Sequence, residues 1–258
     1  MIRIIFFDVD GTLLSETDRR LSSATAESIR ELIRKGIRIV LVTGRPYSLC
    51  KEFSDLGIDT IISANGALIK IGDEVIHKSV LSAQMVHEFS GFAELNGHSI
   101  SYFTESFATN GLCATDIRVS DALRETLGVT DPAQKMDSLE QEVVCICLYA
   151  DDSETEKFQT RFPALRFVRF HPYVCNVLEE NEVSKSLAAA RVLDYLKIPR
   201  EEAMAFGDGE NDIDLLEYVG LGIAMGNGGE QLKQRADYVT LRASEDGVTH
   251  ALRKFKLI

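Results

Sequence analysis

Two apolar rhythms alternate along this chain. Short continuous runs such as "IRIIFF", with Ile4 to Phe7 unbroken, read as buried strands. Between them, apolar residues recur at helical spacing. In "SSATAESIRELIRKG", Ile29, Leu32 and Ile33 share one face, with Ser22 or Ser23 as cap and Gly36 as stop. "IRIVLVTGRP" is a second strand, and Pro46 suits the first turn of a following helix. "IDTIISANGALIK" adds a third strand and an Asn65-Gly66 turn into a hairpin. Strand alternating with helix predicts βαβ units on a parallel sheet.

Near Leu81 the rhythm changes. A helix over "LSAQMVHEFSGFAELNG", capped by Ser82 and stopped at Gly97, leads into "HSISYFT", "EVVCICLYA", "LRFVRF" and "YVCNVLE". Helical or loop stretches near residues 115 to 127 and 153 to 161 separate these segments, which predicts a small α+β unit with an antiparallel sheet. From about Val183 the first rhythm returns through "SKSLAAARVLDYL", "AMAFGDG", "NDIDLLEYV", "GLGIAMGN" and "GEQLKQRA". The expected fold class is therefore α/β. A Rossmann-like parallel-sheet core is built from residues 1–81 and 181–258, with an α+β domain inserted at 82–180. The chain crosses between the two near Val80-Leu81 and Glu179-Asn181. There is no internal repeat and no low-complexity stretch.

Charge narrows the partners. The formal net charge of −12 over 258 residues disfavours nucleic acid or an anionic membrane, since both need basic surface. It leaves room for a small anionic substrate, because a bound cation reverses the field of one cleft. Five cysteines without a CxxC pair argue against a disulfide framework. Cys145 and Cys147 read as strand residues, and a reducing, cytoplasmic setting is expected. The chain opens directly on a strand without a visible targeting signal, and no apolar run approaches membrane-spanning length. No hydrophobic stripe stands out beyond core needs, so a monomer or weak homo-oligomer is expected.

Parallel sheets bind ligands at the carboxyl ends of their strands, and four segments place unusual residues there. Asp8 and Asp10 follow the first strand. Residues i and i+2 of a strand share a face, so both carboxylates are expected in one cleft. Like charges that close resist ionising together, and something must offset them. Thr43-Gly44-Arg45 ends the second strand with a hydroxyl and free amides, a natural anion cradle. Lys185 opens an otherwise apolar helix. "GDGENDIDLLEYVG" crowds Asp208, Glu210, Asp212 and Asp214 at one strand end and helix start. The helix dipole accounts for Asp212 and Asp214 but not for Asp208. Asp8, Asp10 and Asp208 converge only around a divalent cation, and hard oxygen ligands of this kind suit Mg²⁺.

"DVDGTLL", "VTGRP", "VSKS" and "GDGENDIDLL" follow one another in the order of the four motifs of the haloacid-dehalogenase superfamily. The chain resembles its Cof-type sugar-phosphatase branch, which carries an α/β cap between the second and third motifs. "NGA" at 65–67, "GIAMGNG" and "ADYVT…EDGV" resemble that branch too. Ser186 and Gly228 stand where the branch usually has Gly and Ala. The resemblance implies a phosphatase of small phosphorylated metabolites, foremost sugar phosphates. Asp8 is then the nucleophile that forms an aspartyl-phosphate, and Asp10 the general acid and base. It implies Mg²⁺ held by Asp8, the Asp10 backbone carbonyl and Asp208, with Asp212 close by. Thr43, the Gly44 amide, Lys185 and Asn211 would hold the phosphoryl oxygens. The insertion would be a cap hinged at the crossings near Val80-Leu81 and Glu179-Asn181, with Tyr102, Arg118 and His171 as candidate substrate contacts. Two alternatives stand beside this reading: a phosphomutase of the phosphomannomutase type, and a non-catalytic phosphometabolite-binding protein.

Overall fold

A computed structural model describes residues 1–104, 107–112, 116–128, 141–179 and 181–258, without the side chains of Lys51 and Glu52. In chain order come β1 (Ile4–Phe7), α1 (Ser23–Arg34), β2 (Arg38–Val42), β3 (Thr60–Ser63), β4 (Leu68–Ile71) and β5 (Glu74–Lys78). Then follow α2 (Ala83–Leu95), β6 (Ile100–Phe103), β7 (Phe107–Thr109), α3 (Ile117–Leu127), β8 (Cys145–Tyr149), α4 (Asp152–Arg161), β9 (Leu165–His171) and β10 (Val174–Glu179). The chain closes with α5 (Lys185–Leu196), β11 (Ala203–Gly207), α6 (Ile213–Tyr218), β12 (Leu221–Ala224), α7 (Glu230–Arg235), β13 (Tyr238–Val239) and α8 (Gly247–Lys254).

These elements form two compact units. The first comprises Met1–Thr43, Lys51–His77 and Ser184–Ile258. Its eight-stranded sheet runs β13-β12-β11-β1-β2-β3-β4-β5, parallel from β13 to β3 and antiparallel at β3–β4. This explains why the strand sequences lack alternation: a sheet covered on both faces wants apolar residues at every position. All four residues of β1 are fully buried. Ile4, Phe6, Val40 and Val42 pack with Ala188, Ala189, Val192 and Leu193 of α5.

Register then places chemistry. β1 lies between β2 and β11, with Phe7 opposite both Leu41 and Phe206. The residues just beyond, Asp8 and Asp208 among them, are thus brought to one sheet edge from opposite ends of the chain. Asp8 N–H adds a further bond to Phe206 O at 3.0 Å.

The second unit comprises Gly44–Cys50 and Lys78–Val183. Its five-stranded antiparallel sheet runs β7-β6-β8-β10-β9. Ile100, Ile146, Leu148 and Val177 face Phe89 of α2 and Phe158 of α4 in one apolar cluster. Buried Asn176 of β10 donates to Gly44 O at 3.0 Å, which ties the Gly44–Cys50 segment into this unit. Cys50, Cys145, Cys147 and Cys175 are buried free thiols, and Cys113 lies outside the described residues. Of the hinge expected at Glu179-Asn181, Glu180 also lies outside them. No helix among the described residues is long and apolar enough to cross a membrane.

Candidate active site

Lys185 is the first residue of α5, whose cap Ser184 accepts from Leu187 N–H. Its ammonium is 1 % exposed and donates to Asp8 Oδ1 at 2.7 Å and to Asp212 Oδ1 at 2.6 Å. Asp212 lies in the 3₁₀ turn that precedes α6, and its Oδ2 accepts from the Asp208 and Gly209 amides at 3.1 and 3.0 Å. Asp208 Oδ1 accepts from Thr12 Oγ1 at 3.3 Å, and Oδ2 from Asn227 Nδ2 at 3.1 Å. Asp8, Asp208 and Asp212 each offer an oxygen within 4.8 Å of the others.

One ammonium against three carboxylates leaves two negative charges in a largely buried place. Burial pushes the Asp8 carboxyl well above its usual range, against the opposing pull of Lys185. Burial, followed by the charge of Asp212, raises Asp208 to about 7. For Lys185, burial alone would favour the neutral amine, and the Asp212 and Asp8 charges reverse that and raise it. The surplus charge matches a divalent cation, and an all-oxygen donor set matches Mg²⁺. The residues present therefore fit the ion.

Asp10 behaves differently. Its side chain is 40 % exposed and its Oδ1 accepts from Arg19 Nη2 at 2.9 Å. The three-carboxylate group is completed by Asp212 and not by the Asp10 carboxylate, contrary to the convergence expected of Asp8, Asp10 and Asp208. The reason is local. β1 ends at Phe7, so the shared-face rule stops applying where the pair begins, and the chain turns, with Leu14 N–H bonding back to Val9 O at 2.8 Å. Gly11, at φ +80°, completes that turn, and a Cβ there would overlap the Asp208 carboxylate.

Thr43 is buried one residue past β2, its N–H bonded to Ile62 O and its carbonyl to Asn65 N–H, both at 2.9 Å. Asn211 is half-buried and donates from Nδ2 to Asn65 Oδ1 at 2.9 Å. Gly44 belongs with the second unit. Ser186 gives both its N–H and its hydroxyl to Asp214 Oδ2, at 3.1 and 2.6 Å, fastening α5 to α6. At Gly228, a Cβ would stand 2.9 Å from Leu232 Cδ2 and 3.0 Å from Asp208 O, which accounts for glycine. Tyr102 is spent on the core and on a 2.9 Å bond with Ser90. Arg118 grips Asp116 over the Tyr173 ring, and His171 pairs with Glu125.

Sequence reasoning missed Arg19, Thr12, Asn65 and Asn227 as site residues. Asn227 donates to Gly11 O at 2.8 Å as well as to Asp208. Its motif "GIAMGNG" was visible, as was "NGA". Their polar members carried the signal.

Residues 5–252 match the family model for haloacid dehalogenase-like hydrolases. The chain belongs to that family. Among its relatives, this hydrolase is 29 % identical to the 5-amino-6-(5-phospho-D-ribitylamino)uracil phosphatase YitU of Bacillus subtilis, over 98 % of this chain and 97 % of that protein. The phosphoglycolate phosphatase of Methanothermobacter thermautotrophicus is 27 % identical, over 98 % of this chain and 99 % of that protein. Among solved structures, the subclass IIB sugar phosphatase BT4131 superposes with a TM-score of 0.89 at 30 % identity, covering 99 % of this chain and 100 % of that one. The haloacid dehalogenase-like hydrolase described here thus takes its place among the phosphatases of its superfamily.

Proposed function

We propose that this hydrolase is a Mg²⁺-dependent phosphatase of small organic phosphate monoesters, with sugar phosphates as its foremost class. It would work in the cytoplasm as a monomer or weak homo-oligomer, without a nucleic-acid or membrane partner. The observation that carries the reading is the meeting of Asp8, Asp208, Asp212 and Lys185 in one buried group.

Asp8 is the nucleophile, since a carboxylate needs no general base to activate it. Its attack on phosphorus forms the aspartyl-phosphate and releases the alcohol. Lys185 aims Asp8 through a 2.7 Å bond and pulls it toward the anion against the burial that raises it, and it tempers the repulsion from Asp212. Asp10 gives a proton to the departing alkoxide and takes one from the water that hydrolyses the intermediate. The partly exposed placement of its carboxylate beside Arg19 keeps it apart from the buried group. Asp8, the Asp10 carbonyl and Asp208, with Asp212 close by, would hold Mg²⁺, which would supply the positive charge that lets an anion approach an anionic ester. Thr43, the Gly44 amide, Lys185 and Asn211 hold phosphoryl oxygens where charge gathers. The inserted unit, 82–180 by sequence, acts as the cap that excludes water and reads the leaving group.

The test is phosphate release from a panel of sugar phosphates, nucleotides and cofactor phosphates, with Mg²⁺ and with chelator. Release with Mg²⁺, lost with chelator and in Asp8→Asn, is the expected result. An isomerised sugar phosphate without free phosphate would make it a mutase. Tight ester binding without turnover would make it a sensor.

A further inference from the structure

The turn after β3 is strained in a way that a hairpin does not require. Ala64, Asn65 and Gly66 all have positive φ, at 48°, 55° and 111°. A left-handed alanine is unfavourable because its Cβ crowds the backbone, and an Asn-Gly turn could be made without it. Strain of this kind points toward function when the surroundings hold it in place. Here they do. Asn65 N–H bonds to Thr43 O at 2.9 Å. Gly66 lies so close to Ser184 that a Cβ would stand 2.5 Å from its carbonyl, one residue before Lys185. The Asn65 side chain reaches Asn211 across 146 residues of sequence. One short turn therefore touches three of the segments that carry proposed phosphoryl contacts.

The side chain itself is unevenly used. Asn65 is 3 % exposed, its Oδ1 accepts from Asn211, and its Nδ2 is buried without a partner among the described residues. An unpaired buried donor carries its full desolvation cost, which an apolar residue of similar size would avoid. The oxygen is what the site uses. Asn211, by contrast, is partly exposed, and its Nδ2 carries two hydrogens.

We propose that Asn65 is a positioning residue: it takes one Nδ2 hydrogen of Asn211, which fixes the amide and leaves the other hydrogen for a phosphoryl oxygen. This step rests on the phosphatase reading above. It makes Asn65 act through Asn211 alone, without touching substrate.

A double-mutant cycle separates this from a merely structural role. Asn65→Gly keeps the left-handed backbone and removes the acceptor, while Asn65→Asp keeps an acceptor oxygen. Expected for Asn65→Gly is a loss in kcat of about tenfold with KM moved less than about threefold. Asn65→Asp should recover most of that loss. With Asn211→Ala already present, Asn65→Gly should cost nothing more, because the two act as one unit. Losses that multiply in the double variant would overturn the proposal. A second readout does not depend on turnover. In ¹⁵N spectra of the whole protein, the two Asn211 Nδ2 protons should be well separated in the natural chain and collapse toward each other in Asn65→Gly. An unchanged Asn211 amide would sink the positioning role even if the enzyme turns over. Absence of turnover in the natural chain would sink the phosphatase reading, while the spectra still decide whether Asn65 holds Asn211.

Discussion

The first unit holds two carboxylate clusters that treat charge in opposite ways. In the buried group, three acids share one lysine, and burial drives Asp208 up to about 7. Eight residues after Asp8, Glu16 sits near the surface with donors to spare. Its carboxylate accepts from Arg242 Nε at 2.8 Å and from the Ser244 amide and hydroxyl at 3.0 and 2.7 Å. Burial alone would raise it, but those bonds prevail and lower it to about 2. Acid surrounded by donors stabilises a fold. Acid crowded with acid weakens it, and persists where a cation and a reaction need it.

The largest effects should break the first cluster. Asp8→Asn should lower phosphate release by roughly 10³-fold or more, since the nucleophile is gone. Asp208→Asn should also abolish turnover, yet raise the melting temperature of the metal-free protein by about 3 °C, because it relieves surplus charge. A lower melting temperature would show that Asp208 holds the fold together and is not strained. Gly11→Ala combines a left-handed backbone with an overlap on the Asp208 carboxylate. Its turnover should fall by about 10²-fold, with a weaker Mg²⁺ response in thermal shift.

The contrast also shows what the sequence could and could not reveal. The parallel core was legible because β1, β2 and β11 are continuous apolar runs that end in unusual residues. Asp8 and Asp208 stood out because each ends an apolar strand pattern, whereas Lys185 took its role from the resemblance and reads alone as a surface lysine. Partners were not legible. That Asp212 and not Asp10 joins Asp8 depends on where β1 stops, a matter of one or two residues that periodicity does not resolve. Asn65 reaching Asn211, or Asn227 reaching Asp208, depends on turns meeting across strand order, for which no local pattern exists. Nor did composition mark Gly44–Cys50 as part of the second unit, because ties such as the buried side-chain bond from Asn176 to Gly44 leave no local pattern.

Between the two clusters in size stands Lys185→Met. The change leaves Asp8 and Asp212 facing each other, both buried, without the ammonium between them. Removing one partner of a buried ion group costs about 3 kcal/mol, read as a lower urea midpoint at unchanged slope. Added Mg²⁺ should recover part of the loss, and so should Asp212→Asn as a second change. If neither does, the ammonium is needed for packing more than for charge.

The smallest effect distinguishes the clusters by pH. Glu16 has a folded-state value near 2 against an ordinary 4.5, so between those limits only the unfolded chain binds the proton. Its stabilisation is present above about pH 4.5 and is lost as pH falls toward 2. Asp208 has the opposite sign: its folded-state value near 7 exceeds 3.8, so metal-free stability declines as pH rises from 3.8 toward 7. Glu16→Gln should therefore cost about 1 kcal/mol at pH 6 and little at pH 2.5, flattening the acid limb of the urea-midpoint profile. Asp208→Asn should leave that limb alone and flatten the decline toward neutrality. Saturating Mg²⁺ should mimic Asp208→Asn in this profile and leave the Glu16 limb unmoved, since only one of the two clusters has a place for the ion.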